Sequence, residues 1–158
     1  MRVPMRTMLS VVLAGAAMFL IAAMPLIAHH AFGGEFDSNR PVLLKGTVSK
    51  VELVNPHAWI HIAATEVTVA GEKKDLKGAT EQWAVEGGTP NTLLRRGITR
   101  DSLAGNPEVV VDGYQTRDHT LLRANGRNIT FKDGRKLFMG SSGTGAPRDG
   151  SDPTEPPR

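Results

Sequence analysis

The chain has 158 residues, 19 Lys+Arg against 16 Asp+Glu, no cysteine, 17 glycines and 10 prolines. That length points to one domain, and the missing cysteine excludes disulfide scaffolds, thiolate metal sites and a thiol nucleophile. A pI near 9.5 suggests an anionic partner, but the charge is unevenly spread.

Residues 1–28 hold 21 apolar side chains, five of the six methionines, two arginines and no acid. Arg2 and Arg6 form a short positive start, Met8 to Ala28 runs without a charge, and Pro25 precedes Leu26-Ile27-Ala28. This pattern predicts a secretory signal peptide cleaved after Ala28, with Ala23 as the alternative site. Because 21 apolar residues are long enough to span a bilayer, an uncleaved inner-membrane anchor is the other reading. Cleavage leaves 130 residues with 17 basic and 16 acidic side chains, a net charge of +1. No concentrated basic face remains, so nucleic acid is not an expected partner. The expected location is periplasmic or secreted, with no integral membrane segment after cleavage.

Residues 29–41 read as an extended lead-in. Val42 to Val54 reads as a long strand with a bend or bulge at Gly46. Asn55-Pro56 is a turn, His57 to Val69 a second strand, and residues 70–79 a polar hairpin excursion. Glu81 to Glu86 is a third strand that places Trp83 and Val85 on one face, and Gly87-Gly88 ends it. Thr89 is an N-cap, Pro90 sits at the first helical position, and Gly97 follows as the C′ residue of a short helix. A further turn is expected near Asp101 to Leu103. Strands follow over Glu108–Gln115, Leu121–Phe131 and Lys136–Met139, the last two joined by Asp133-Gly134. Asn125-Gly126 is either a second turn or a bulge within one long strand.

Three strands, a short helix and two or three more strands predict an all-β domain over residues 42–139. The order fits a small OB-like antiparallel barrel of five to six strands with one short helix. An antiparallel β-sandwich is the alternative. Residues 140–158, rich in Gly, Pro and Ser, read as a disordered tail.

With thiols excluded, the histidines are the metal candidates. Cleavage after Ala28 makes His29 terminal, so its α-amine and imidazole can chelate one ion. The amine, with a pKa of roughly 7.7–8.0, gives up its proton readily. Nitrogen-rich tetragonal sites favour Cu(II), and His30 and His57 are the candidates to complete the set. The competing reading is a polar, flexible His-His start that binds no metal. In an extended strand His57, Trp59 and His61 share a face, but the two histidines lie about 13 Å apart and cannot readily hold one ion. A turn-capping His57 and a His61 half-buried beside Trp59 are the plainer roles. Glu86, just before the helix, is a candidate ligand or base, or a cap favoured by the helix dipole. Arg95, Arg96 and Arg100 form a modest cationic patch. No Gly-x-Ser-x-Gly motif is present and Ser102 sits in a polar turn, so serine nucleophile chemistry has no support. An oxidative copper enzyme is the third reading, disfavoured by a short core with no evident substrate platform, and no enzyme activity is expected. A single methionine beyond residue 28, Met139, argues against a Met-rich Cu(I) carrier.

His29-His30-Ala31-Phe32, Phe36-Asp37, Leu44-Lys45-Gly46-Thr47-Val48 and Asn55-Pro56-His57-Ala58-Trp59-Ile60 together resemble an uncharacterised family of exported bacterial proteins, domain of unknown function 6152. Trp83, Glu86-Gly87-Gly88, Pro90-Asn91, Leu94, Arg96-Gly97, Asp101-Ser102-Leu103 and Asp133-Gly134-Arg135 extend the likeness over residues 29–139. Ile98 stands where that pattern often has tryptophan, and Arg117-Asp118-His119-Thr120 replaces a Lys-Asp-Gly-Ser type of turn, so His119 reads as incidental. The resemblance implies an exported single domain with His29, His30, His57 and Glu86 at motif positions, and it implies no activity or ligand. The combined expectation is a noncatalytic small-barrel binding protein, with copper as the candidate cofactor. The alternative is a metal-free envelope module binding a partner protein, an oligosaccharide or another small ligand.

Overall fold

The computed structural model describes residues 32–141 together with 146, 147 and 150. The expected signal peptide, His29, His30 and most of the Gly/Pro/Ser-rich tail lie outside the described residues.

About half of the described residues are in strands. In chain order the elements are α1 (Phe32–Glu35), β1 (Phe36–Glu52), β2 (Trp59–Val69), β3 (Glu72–Lys73), β4 (Glu81–Glu86), α2 (Pro90–Arg95), β5 (Glu108–Thr116), β6 (Arg123–Phe131) and β7 (Lys136–Phe138). Period-two burial drives the long strands: on β2 Ile60, Ile62, Ala64 and Val67 are buried, while Trp59, His61 and Ala63 are half-buried. Trp83 and Val85 project inward from β4 as their spacing predicts.

The strands make one sheet, not the two of a sandwich, ordered β1-β5-β6-β4-β2-β3, with β7 beside β6. Because β1 also pairs with β2, five strands close into a ring. The expectation of an all-antiparallel arrangement is corrected here, since β4 and β6 run parallel through Ala84↔Arg123, Val85↔Ala124 and Glu86↔Asn125. Strand direction cannot alternate all the way round a closed ring of odd number, so at least one pair must be parallel. Among the described residues the expected five to six strands become seven, because the 70–79 excursion carries the short β3 outside the ring.

Three one-residue bulges shape the ring, and in one of them Val48 faces Ile62 and Lys50 faces His61, so Ser49 is the extra residue. Lys45 faces Glu66 and Gly46 faces Ala64, so Thr65 is the extra residue. Asp112 faces Asn128 and Gly113 faces Gly126, which makes Arg127 the extra residue and Asn125-Gly126 part of a long bulged strand, not a turn. A side chain cannot enter at either glycine: a Cβ on Gly46 would lie 2.1 Å from the Ala63 carbonyl oxygen, and one on Gly113 2.1 Å from that of Asn125.

Within the expected extended lead-in 29–41, residues 32–35 form α1 and residues 36–41 are extended as the first part of β1. Among the described residues there are two short helices where one is expected, and β1 begins six residues before Val42. Aromatic burial explains both changes. Phe32 and Phe36 are buried, their ring centroids 5.8 Å apart, and Phe32 meets Tyr114 of β5 edge-on at 5.4 Å. Arg117 reinforces this docking by donating to the Glu35 and Gly33 carbonyls.

Local chemistry sets α2. The Thr89 hydroxyl accepts from the Thr92 amide, and Pro90 opens the helix. At the other end Gly97 takes φ +85°, Gly97 N donates to Leu94 O and Ile98 N donates to Leu93 O. That is a Schellman closure, and its two hydrophobic partners, Leu93 and Ile98, are both fully buried in the core. The helix thus covers one end of the ring beside Gly87-Gly88.

Candidate functional site

The residues singled out around His57 and Glu86 meet where β2 begins and β4 ends. The Asn55–Pro56 peptide is cis, and His57 follows it just ahead of β2. Ala58 N donates to Gly88 O at 3.0 Å and Gly87 N to Ala58 O at 2.8 Å, which extends the β2–β4 pairing past the strand ends. Gly88 N in turn donates to Met139 O at 2.7 Å. These three segments lie so close that a Cβ on Gly87 would sit 3.1 Å from Met139 O, and one on Gly88 3.0 Å from Gly140 O. The diglycine thus lies in a close approach of three segments, where any larger residue would make the neighbouring backbone give by a few tenths of an ångström.

On that floor the His57 ring is held through one nitrogen. Nδ1 donates to Gly87 O at 3.3 Å and lies 3.3 Å from Oε1 of Glu86, whose side chain is buried. The Ser141 hydroxyl approaches the same nitrogen at 3.5 Å and also reaches Gly87 O. A carbonyl and a carboxylate only accept, so the proton of the neutral ring belongs on Nδ1. Nε2 then carries a lone pair, has no hydrogen-bond partner among the described residues, and belongs to a side chain that is 29% exposed. Ser141 and Glu86 address a single nitrogen, so they do not form the serine–histidine–acid relay, which needs both ring nitrogens.

Ser141 was not legible in the sequence as a site residue. It arrives because the chain after β7 is anchored here: Arg96 donates to Gly140 O at 2.7 Å and lies over the Phe138 ring at 4.5 Å, with Arg127 on the same ring at 5.7 Å. Of the expected arginine patch, only Arg96 turns to this corner by these contacts.

The structure separates the remaining candidates. His61 Nε2 is engaged by Glu52 at 2.7 Å across β1. Hydrogen bonds from Lys50 first and His61 second hold the Glu52 carboxyl below its usual pKa. Trp59 faces Glu86 in register but is capped by the Arg123 guanidinium, 4.7 Å from its ring, and Arg123 also pairs with Glu35 at 2.9 Å. His119 is an exposed loop residue 3.8 Å from Asp37. Among the described residues no three His, Asp or Glu side chains gather as a metal-ligand set. None of the described helices is long and apolar enough to cross a membrane.

These features define a small, mostly β domain whose five-strand ring carries a histidine–glutamate corner beside its covering helix. The chain belongs to the Family of unknown function (DUF6152), which matches residues 17–124 and so spans His29, His30, His57, Trp59, His61 and Glu86. Comparison with curated proteins and with solved structures gave no match.

Proposed function

We propose that this is an exported, noncatalytic binding protein built on an OB-like barrel. In it Cu(II) is held by the amine and imidazole of a terminal His29 together with His30 and Nε2 of His57. The barrel reading is supported by the closed order β1-β2-β4-β6-β5, with α2 lying between β4 and β5 along the chain. Export, to the periplasm or outside, is supported by the charge-free stretch after Arg6 and the small residue at its end.

One observation carries the metal reading. Histidines that ligate a metal characteristically give the other ring N–H to a backbone carbonyl or a carboxylate, which fixes the tautomer and raises ligand basicity. His57 has that arrangement, with Gly87 O and Glu86 on Nδ1 and Nε2 left for a ligand. Glu86 is then a positioning group. The near-neutral charge after residue 28 favours no nucleic-acid partner, and the shared use of Nδ1 by Ser141 and Glu86 favours binding over hydrolysis.

Intact mass of the purified protein comes first: a chain beginning at His29 is the expected result, and any other start removes the amine ligand. Titration with Cu(II) should then give one site tighter than about micromolar, weakened in His29→Ala. Absence of such a site would leave the metal-free interaction module as the reading.

A further inference from the structure

A second feature lies toward the start of β4, whereas His57 lies against its last residue. On β1 the alternation that buries Val42 and Leu44 puts Arg40 on the same inward face. On β5 the same holds for Gln115 after Val109, Val111 and Gly113. Arg40 therefore stands in the open end of the strand ring, in a hollow of about 350 Å³ whose apolar walls are Val69, Trp83 and Leu122.

Gln115, only 4% exposed, fixes this arginine. Its Oε1 accepts from Arg40 Nε at 3.0 Å, while its Nε2 donates to His119 O at 3.4 Å. The amide is thereby oriented from both ends, and the guanidinium is held by its inner nitrogen. Among the described residues neither η nitrogen has an acceptor and no carboxylate lies within ion-pair distance of Arg40. The neighbouring lysines differ in this respect, since Lys73 is paired with Glu66 and Lys74 with Glu81. Glu72, exposed on the rim, is the acid that lines the hollow. A guanidinium with both η nitrogens open is the geometry that binds a carboxylate through two parallel hydrogen bonds.

We propose that the open end of the ring is a binding site for a small organic carboxylate. The carboxylate lies on the η nitrogens of Arg40, and the apolar body lies against Val69, Trp83 and Leu122. Ligand pockets of small barrels combine apolar walls with one or two oriented polar groups in this way. The site is independent of the metal reading at His57.

Benzoate is a suitable probe, with benzyl alcohol as its uncharged counterpart and inorganic phosphate as an anion lacking the apolar body. In a Trp59→Phe background Trp83 is the one tryptophan, so its emission reports the hollow directly. The side-chain amide of Gln115, followed by nitrogen–proton NMR in the unsubstituted protein, gives a second readout. Benzoate should saturate both signals at roughly millimolar concentration, with benzyl alcohol and phosphate each at least about tenfold weaker. Arg40→Gln should weaken benzoate by about tenfold or more while changing benzyl alcohol binding by no more than about twofold, with a dispersed proton NMR spectrum showing that the variant is folded. No saturable response to benzoate at either reporter would overturn the proposal. Equal affinity for benzoate in Arg40→Gln would overturn it as well, and phosphate binding as tightly as benzoate would overturn the role of the apolar walls.

Discussion

Replacing Gly46 by alanine tests the seam that closes the ring. The added Cβ would stand 2.1 Å from Ala63 O, 2.7 Å from Ala64 Cα and 2.8 Å from Ala63 C. Ordinary contact requires about 3.5 Å, so the two strands must part by more than about 1 Å. Overpacking that is relieved by side-chain movement costs about 1–3 kcal/mol. Here the obstructing atoms are backbone in a bulge that β1 and β2 share, and β1 is held on its other edge by β5. The cost therefore falls at the top of that range, about 3 kcal/mol. For a domain of this size that lowers the thermal midpoint by about 12–20 °C. Urea unfolding of Gly46→Ala against wild type, with Gly33→Ala as a control, measures it directly, since a Cβ on Gly33 meets nothing within 4 Å. A loss under about 0.5 kcal/mol, the range of an ordinary surface change, would refute the closed seam.

Phe36→Ala should cost about 3–5 kcal/mol and alter the near-ultraviolet dichroism of Tyr114, because Phe36 is buried beside Phe32; a neutral result would mean that β1 starts near Val42. Thr89→Ala should cost about 1 kcal/mol in urea unfolding, from loss of the hydroxyl that accepts from Thr92 N. The Glu66 carboxyl is held down to about 2 from 4.5, by hydrogen bonds from Lys73 and then Lys45. Its native pKa lies below the unfolded one, so its contribution is complete above pH 4.5 and is lost as pH falls through about 2. Carbon NMR titration of the carboxyl should show that depressed value at low salt, and a return toward the ordinary range when Lys73 and Lys45 are both replaced by methionine. As a surface group its effect should fade in high salt.

What was legible in the sequence was what short-range chemistry decides. Glu81–Glu86 was readable from alternation ended by two glycines, and α2 from Thr89, Pro90 and Gly97, because cap and turn residues act within a few positions of themselves. The bulge at Gly46 was readable because an isolated glycine in a strand marks a close approach. The parallel β4–β6 contact was not readable, since it is imposed by closing five strands and leaves no mark on Ala84 or Arg123. The start of β1 was missed because Phe32 and Phe36 depend on Tyr114, which lies about eighty positions away. The same distance hid the corner itself: His57 and Glu86 were identifiable as residues, but Gly140 and Ser141 come from the far end of the chain, brought there by the Gly88–Met139 hydrogen bond and by Arg96. Arg40 and Gln115, 75 positions apart, carry no local signal of their pairing.

If the proposed copper site forms, Nε2 of His57 is one of its ligands. Electron paramagnetic resonance of the protein with one equivalent of Cu(II), compared between wild type and His57→Ala, tests it most directly. The expected result is nitrogen-rich hyperfine structure in wild type, the loss of one imidazole nitrogen in the variant, and weaker binding by about tenfold or more. Spectra and affinity identical in the two proteins would contradict it.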